Sequence, residues 1–179
     1  MLLDKEKDLL VIIDMINGFT YQGAFASDNV VKIIKPMASF VQEAINNGIQ
    51  VIHYIDNHPE DALEFQVYPK HCTGDEESLP VKELDFKEIE IIHKNSTNGF
   101  FAKNPFDYEK NLYIIGCVTD ICIFEYALTC QKYKEHHNLP YSVNVIEKYT
   151  ATFDGPDHDA KVIQKQFIEL LKSRGINII

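Results

Sequence analysis

Six short apolar runs constrain this chain more than any other feature: residues 9–13, 49–55, 89–92, 112–115, 141–146 and 176–179. They are rich in Ile and Val and mostly continuous rather than alternating. A strand with one wet face alternates apolar and polar residues. A strand covered on both faces does not, which is the pattern of a parallel sheet buried between helices. Helical spacing fills several of the gaps. Residues 28–47 carry Val30, Ile33, Ile34, Met37, Val41 and Ile45 on one side and meet a stop at Gly48. Pro36 inside that pattern is expected to end a first turn or bend the helix. A second helix is expected over 121–133, with Thr119 or Asp120 as its N-cap. A third is expected over 157–173, opened by Asp157 and closed by Gly175. Strands alternating with helices predict an α/β fold: a doubly wound, six-stranded, mainly parallel sheet with helices on both faces, and residues 1–179 as one domain.

The formal net charge of −10 and the absence of any Lys/Arg run argue against nucleic acid or an anionic membrane as partner. No apolar stretch approaches the roughly 20 residues of a membrane span. The opening "MLLDKEKDLLVIID" has charges where a signal peptide would carry its apolar core. The four cysteines form no CxxC pair, so reduced thiols and a cytoplasmic location are expected.

In an open α/β sheet, ligands bind at the carboxyl ends of the strands. The first run delivers Asp14 there. The second delivers Asp56, followed by Asn57 and His58. The third delivers Lys94, and the fourth runs through "CVTD" to Cys122 at the head of a helix. Singly, such residues are ordinary turn formers or solvated surface. Parallel topology, however, forces all of them to one rim. A thiol at a helix N-terminus faces free amides and the positive end of the dipole, which favour a thiolate. Asp14 could take the thiol proton and pass it to a leaving amine, Lys94 could add positive charge, and first-turn amides could hold an oxyanion. Cys117, Cys130 and Cys72 read as core.

The stretch 57–87, rich in Pro, Asp and Glu, is long for a passive loop. Asp56, His58, Glu64 and His71 make a mixed oxygen and nitrogen set that suits one divalent metal, Zn with Mn or Fe as alternatives. Asp61, Asp75, Glu76 and Glu77 are expected to be solvated, and His136 and His137 to lie on the surface. His53 and His93 should be hydrogen-bonded within strands, and His158 should sit in the first turn of the third helix.

Three segments, "VIIDMINGF", "DNHP" with "YPKHC", and "GCVTDICI", resemble in content and order those of the isochorismatase-like cysteine hydrolases. The similarity runs from about residue 9 to residue 146, and the nicotinamidase branch is nearest. The resemblance implies a triad of Asp14, Lys94 and Cys122. It implies a divalent metal on Asp56, His58 and His71 that holds a pyridine nitrogen, with Glu64 where many members have a further His. It also implies a cis Cys117–Val118 peptide that turns the Val118 amide, with that of Cys122, towards an oxyanion, and it makes Phe19 and Tyr68 aromatic walls. The activity implied is hydrolysis of nicotinamide to nicotinate and ammonia through a thioester, in pyridine nucleotide salvage, with pyrazinamide as a second substrate and a homo-oligomer as the usual assembly. Two alternatives stay open: the same triad acting on a carbamoyl or ureido compound, and a non-catalytic metabolite-binding module.

Overall fold

The computed structural model describes residues 3–74 and 76–179. Asp75, expected to be solvated, lies outside them. The strands are β1 (Asp8–Ile13), β2 (Gln50–Asp56), β3 (Glu90–Lys94), β4 (Asn111–Cys117), β5 (Val143–Ala151) and β6 (Asn177–Ile178). They form one sheet in the order β3-β2-β1-β4-β5-β6, and every neighbouring pair is parallel. The helices are α1 (Asn17–Thr20), α2 (Asp28–Asn46), α3 (Phe124–His136) and α4 (Ala160–Ser173).

β1 shows why continuous apolar runs were needed. Leu10 and Ile12 point into a core closed by Val30, Ile34, Met37 and Val41 of α2. Leu9, Val11 and Ile13 point into a second core closed by Tyr126, Ala127 and Cys130 of α3 with Ile168 and Leu171 of α4. Both faces are dry, and each such buried side chain stabilises the fold by about 1.5–3 kcal/mol. Strand order reverses between β1 and β4, so the crevice at their carboxyl ends is the place where this topology leaves room for a ligand.

Several local expectations need correction. α2 does not end at Pro36. Lys32, whose carbonyl the proline cannot serve, and Pro36 itself are both exposed, so that carbonyl is open to solvent. The third long helix starts at Ala160, where Asp159 rather than Asp157 accepts from the Lys161 and Val162 amides. His158 therefore lies ahead of the helix. Neither Thr119 nor Asp120 caps α3. Residues Thr119–Ile123 form a π turn without a side-chain cap, and Thr119 donates instead to Gln164 at 2.5 Å. Glu77 is half-buried and accepts from the Cys72 amide at 3.0 Å, so it is not simply solvated. The stretch after β2 is pinned rather than loose. Its 3-10 turns at Leu63–Gln66, Glu76–Ser78 and Lys82–Leu84 are tied to the strand ends by the bonds His58 N to Cys72 O (2.8 Å), Asn57 N to Lys94 O (2.9 Å) and Val81 N to Met15 O (3.1 Å).

Candidate active site

Asp14, Asp56, Lys94 and Cys122 meet at the β1/β4 crevice, and all four are buried. Lys94 ends β3 and reaches across to Asp14 Oδ2 at 2.8 Å, to Asp56 Oδ1, and to the Ser96 carbonyl at 3.0 Å. Asp14 follows β1 in a left-handed conformation, φ 52°, that few non-glycine residues adopt. It is held there by its amide donating to Tyr54 O at 2.9 Å and by its Oδ1 accepting from the Asp56 amide at 3.0 Å. Cys117, a core residue as expected, donates its thiol to the Asp14 carbonyl at 3.0 Å. The Cys117–Val118 peptide is cis. Beyond it the π turn carries Cys122 into the same crevice, near enough for its thiol and the Asp14 carboxyl to act on each other electrostatically.

Electrostatics here follow from burial and one cation. Burial, with the charge of Asp56, pushes Asp14 up to about 7 against the pull of Lys94. Burial works to strip Lys94 of its proton, but Asp14 and Asp56 outweigh it and raise its pKa. Burial would also raise Asp56, yet Lys94, His58 and His71 hold it below the usual carboxylate range. For Cys122, burial dominates and lifts the thiol well above its ordinary value, with Lys94 only opposing. The thiolate expected from the helix dipole is therefore corrected: at rest the sulfur keeps its proton.

Asp56, His58 and His71 can bring one donor atom each within 4.8 Å of one another, and all three are buried. Each imidazole is oriented from behind, His58 Nδ1 by Asn95 Oδ1 at 2.8 Å and His71 Nδ1 by the Pro69 carbonyl at 2.7 Å. Because both partners accept, each Nδ1 carries the hydrogen and Nε2 presents a lone pair. His58 Nε2 is buried with no hydrogen-bond partner, and its 3.6 Å to Asp56 is too long to be one. Such an orphan between two carboxylate-facing imidazoles fits a divalent cation. Glu64 stands on the Leu63–Gln66 turn at the wall of the same cavity but outside this cluster.

The cavity beside Cys122 encloses about 470 Å³, open mouth included. Phe19 and Tyr68 line it, and so do Phe25 and Phe153, which periodicity could not single out. Phe25 stands edge-on to His71 at 4.8 Å between centroids, and near-parallel to Phe19 at 6.0 Å. Val118 also lines the cavity. His53 is hydrogen-bonded, accepting from the Met15 amide at 3.1 Å. His93 meets Asn57 at 2.9 Å, and His136 and His137 are exposed.

Comparison with known proteins places the chain in a family. The Isochorismatase domain family matches residues 8–174. The curated protein "Nicotinamidase 1" of Arabidopsis thaliana is 30% identical over 190 residues, spanning 92% of this chain and 78% of the plant protein. Among solved structures, the pyrazinamidase of Pyrococcus horikoshii in complex with zinc superposes with a TM-score of 0.78 at 22% identity, covering 97% of this chain and 98% of that one. N-carbamoylsarcosine amidase of Thermoplasma acidophilum superposes with a TM-score of 0.76 at 22% identity, covering 96% and 95%. At these identities the two structures speak for the fold alone.

Proposed function

The chain belongs to the isochorismatase family of hydrolases, and from that premise we propose that it is a metal-dependent cysteine amidohydrolase that converts nicotinamide to nicotinate and ammonia. One observation carries the reading: a buried acid, amine and thiol converge from three strand ends beside an imidazole pair with a free buried nitrogen. The cavity's four aromatic side chains favour a flat ring over an aliphatic carbamoyl or ureido compound. Pyrazinamide, with a similar ring and the same carboxamide, is the expected second substrate.

Asp14, which titrates at about 7 with Lys94 favouring its ionised form, accepts in that form the Cys122 proton as sulfur attacks the carboxamide carbon. The resulting oxyanion is held by the amides of Val118 and Cys122. As the C–N bond breaks, Asp14 returns the proton to the departing nitrogen, which leaves as ammonia. Water then adds to the thioester and gives its proton to Asp14. As that proton goes back to sulfur the acid is released, and its remaining carboxyl proton passes to solvent to give nicotinate. Lys94 stays charged throughout and keeps both carboxylates from repelling each other. A divalent ion, held by Asp56, His58 and His71 with Glu64 near by, would supply a Lewis-acidic anchor for the ring nitrogen.

The test is ammonia release from nicotinamide by purified protein, with and without chelator, alongside Cys122→Ala. The expected outcome is loss of at least about 10³-fold in the variant with unfolding behaviour unchanged, and loss on chelation restored by added Zn²⁺. Turnover retained in Cys122→Ala would sink the covalent mechanism.

A further inference from the structure

Two residues that the chemistry above leaves unused, Asp120 and His158, form a bonded polar pair outside the triad. Asp120 lies two residues before Cys122 in the π turn, and His158 closes the loop between β5 and α4. His158 Nε2 meets Asp120 Oδ2 at 2.9 Å, and its Nδ1 meets the Phe153 carbonyl at 2.8 Å. Carboxylate and carbonyl both accept, so the ring between them donates from both nitrogens. Thr152 donates to the other oxygen of Asp120. The flat face of His158 lies 4.0 Å from the ring of Phe153, with 5° between the planes. The other side of the matter is the cavity: Phe153 is part of its wall together with Cys122. The loop bearing Phe153 is further closed by the paired bonds Gly155 N to His158 O (2.9 Å) and His158 N to Gly155 O (3.2 Å), and by Asp154 accepting from the Ala160 amide at 2.8 Å.

We propose that the Asp120–His158 pair is a clamp between the nucleophile's turn and the β5–α4 loop, and that it fixes Phe153 as the wall against which an aromatic substrate ring stacks. His158 is then a positioning residue for ring recognition, acting through Phe153 and not on the reacting atoms. In its substrate class this rests on the amidohydrolase reading above. The geometry of the clamp itself does not.

The steady-state parameters kcat and KM for nicotinamide are compared in the wild type, Phe153→Ala, His158→Asn, His158→Gln and the Phe153→Ala/His158→Asn double variant. Each single variant should raise KM by roughly five- to tenfold with kcat held within about twofold, and the double variant should be no worse than Phe153→Ala alone. His158→Gln keeps an amide donor for Asp120 but offers no ring face, so it should behave like His158→Asn. An unchanged KM, a loss confined to kcat, or additive effects would overturn the clamp, as would failure of both His158 variants to fold. A substrate-independent arm uses alkylation of Cys122, followed by mass spectrometry, with chloroacetamide and its N-phenyl derivative. The wild type should favour the phenyl reagent, and the His158 variants should lose that preference. If the wild type releases no ammonia yet shows this pattern, the nicotinamide reading fails and the clamp stands. A preference retained in His158→Asn removes the clamp whatever the substrate.

Discussion

Burial acts with opposite sign on two side chains near the same strand ends. It pushes Asp14 up to about 7, and it pushes His53 down to about 3 with Lys94 adding to the effect. Between 3.8 and about 7 the folded Asp14 keeps a proton that the unfolded chain has released. Its stabilising contribution is full below the ordinary carboxylate value of 3.8 and is lost as pH rises through 7. His53 refuses a proton that the unfolded chain binds. Its contribution is full above 6.5 and is lost as pH falls towards 3. The two slopes oppose each other, and Asp14→Asn removes one of them. In metal-free protein that variant should gain on the wild type between about pH 4 and about pH 8, by on the order of 4 kcal/mol. Urea midpoints across the range provide the check, and a constant difference would show that Asp14 ionises as easily folded as unfolded.

At the scale of elements, the crossing from β4 into the π turn depends on one residue without a side chain. Gly116 has φ 124°, and a Cβ there would lie 2.0 Å from the Ile13 carbonyl oxygen of β1. Backbone cannot give way as a flexible side chain would. Gly116→Ala should therefore cost more than about 3 kcal/mol or abolish folding, while Gly155→Ala, with its nearest neighbour at 3.5 Å, should stay within about 0.5 kcal/mol. Thermal unfolding of the two variants side by side decides this. The same elements show what the sequence could reveal. Continuous Ile/Val runs located β1, β2 and β4 to within a residue or two, because a two-sided core leaves no choice of pattern. The length of β5 was missed, since exposed Glu147 and Lys148 interrupt it where the register with β4 shifts. The π turn was missed because its stabilising partners, Gln164, Thr152 and His158, are 30 to 45 residues away, at separations of 45, 32 and 38. Asp14, Asp56 and Lys94 were legible as strand endings, and Cys122 as the start of the helical segment after β4. Phe25 and Phe153 were not, for they sit in irregular segments where no period assigns a side chain its direction.

Across the whole molecule, a cation held by Asp56 and His58 from the end of β2 and by His71 from the following loop would tie that loop to the sheet. Anything that binds the folded chain alone raises its stability in proportion to the logarithm of its concentration. Added Zn²⁺ should raise the melting temperature, by about 2.7 kcal/mol of stability at a hundred times the dissociation constant, and chelator should reverse it. The gain should shrink as pH falls. Although burial opposes charge on His58, Asp56 outweighs it and raises the imidazole pKa, so protons compete with metal. Calorimetric scans over metal concentration and pH, with His58→Ala as reference, measure it; an equal gain in that variant would place the ion elsewhere. The strand order also has a meaning in time. With β1 near the middle and β2, β3 on one flank before β4, β5 and β6 on the other, the sheet is synthesised from its interior outward. Of the three groups to which the proposed mechanism gives a part, the acid Asp14 is made first, the amine Lys94 second and the thiol Cys122 last. By the time a growing chain exposes its sulfur, the strands bearing the groups that govern it already exist to receive it.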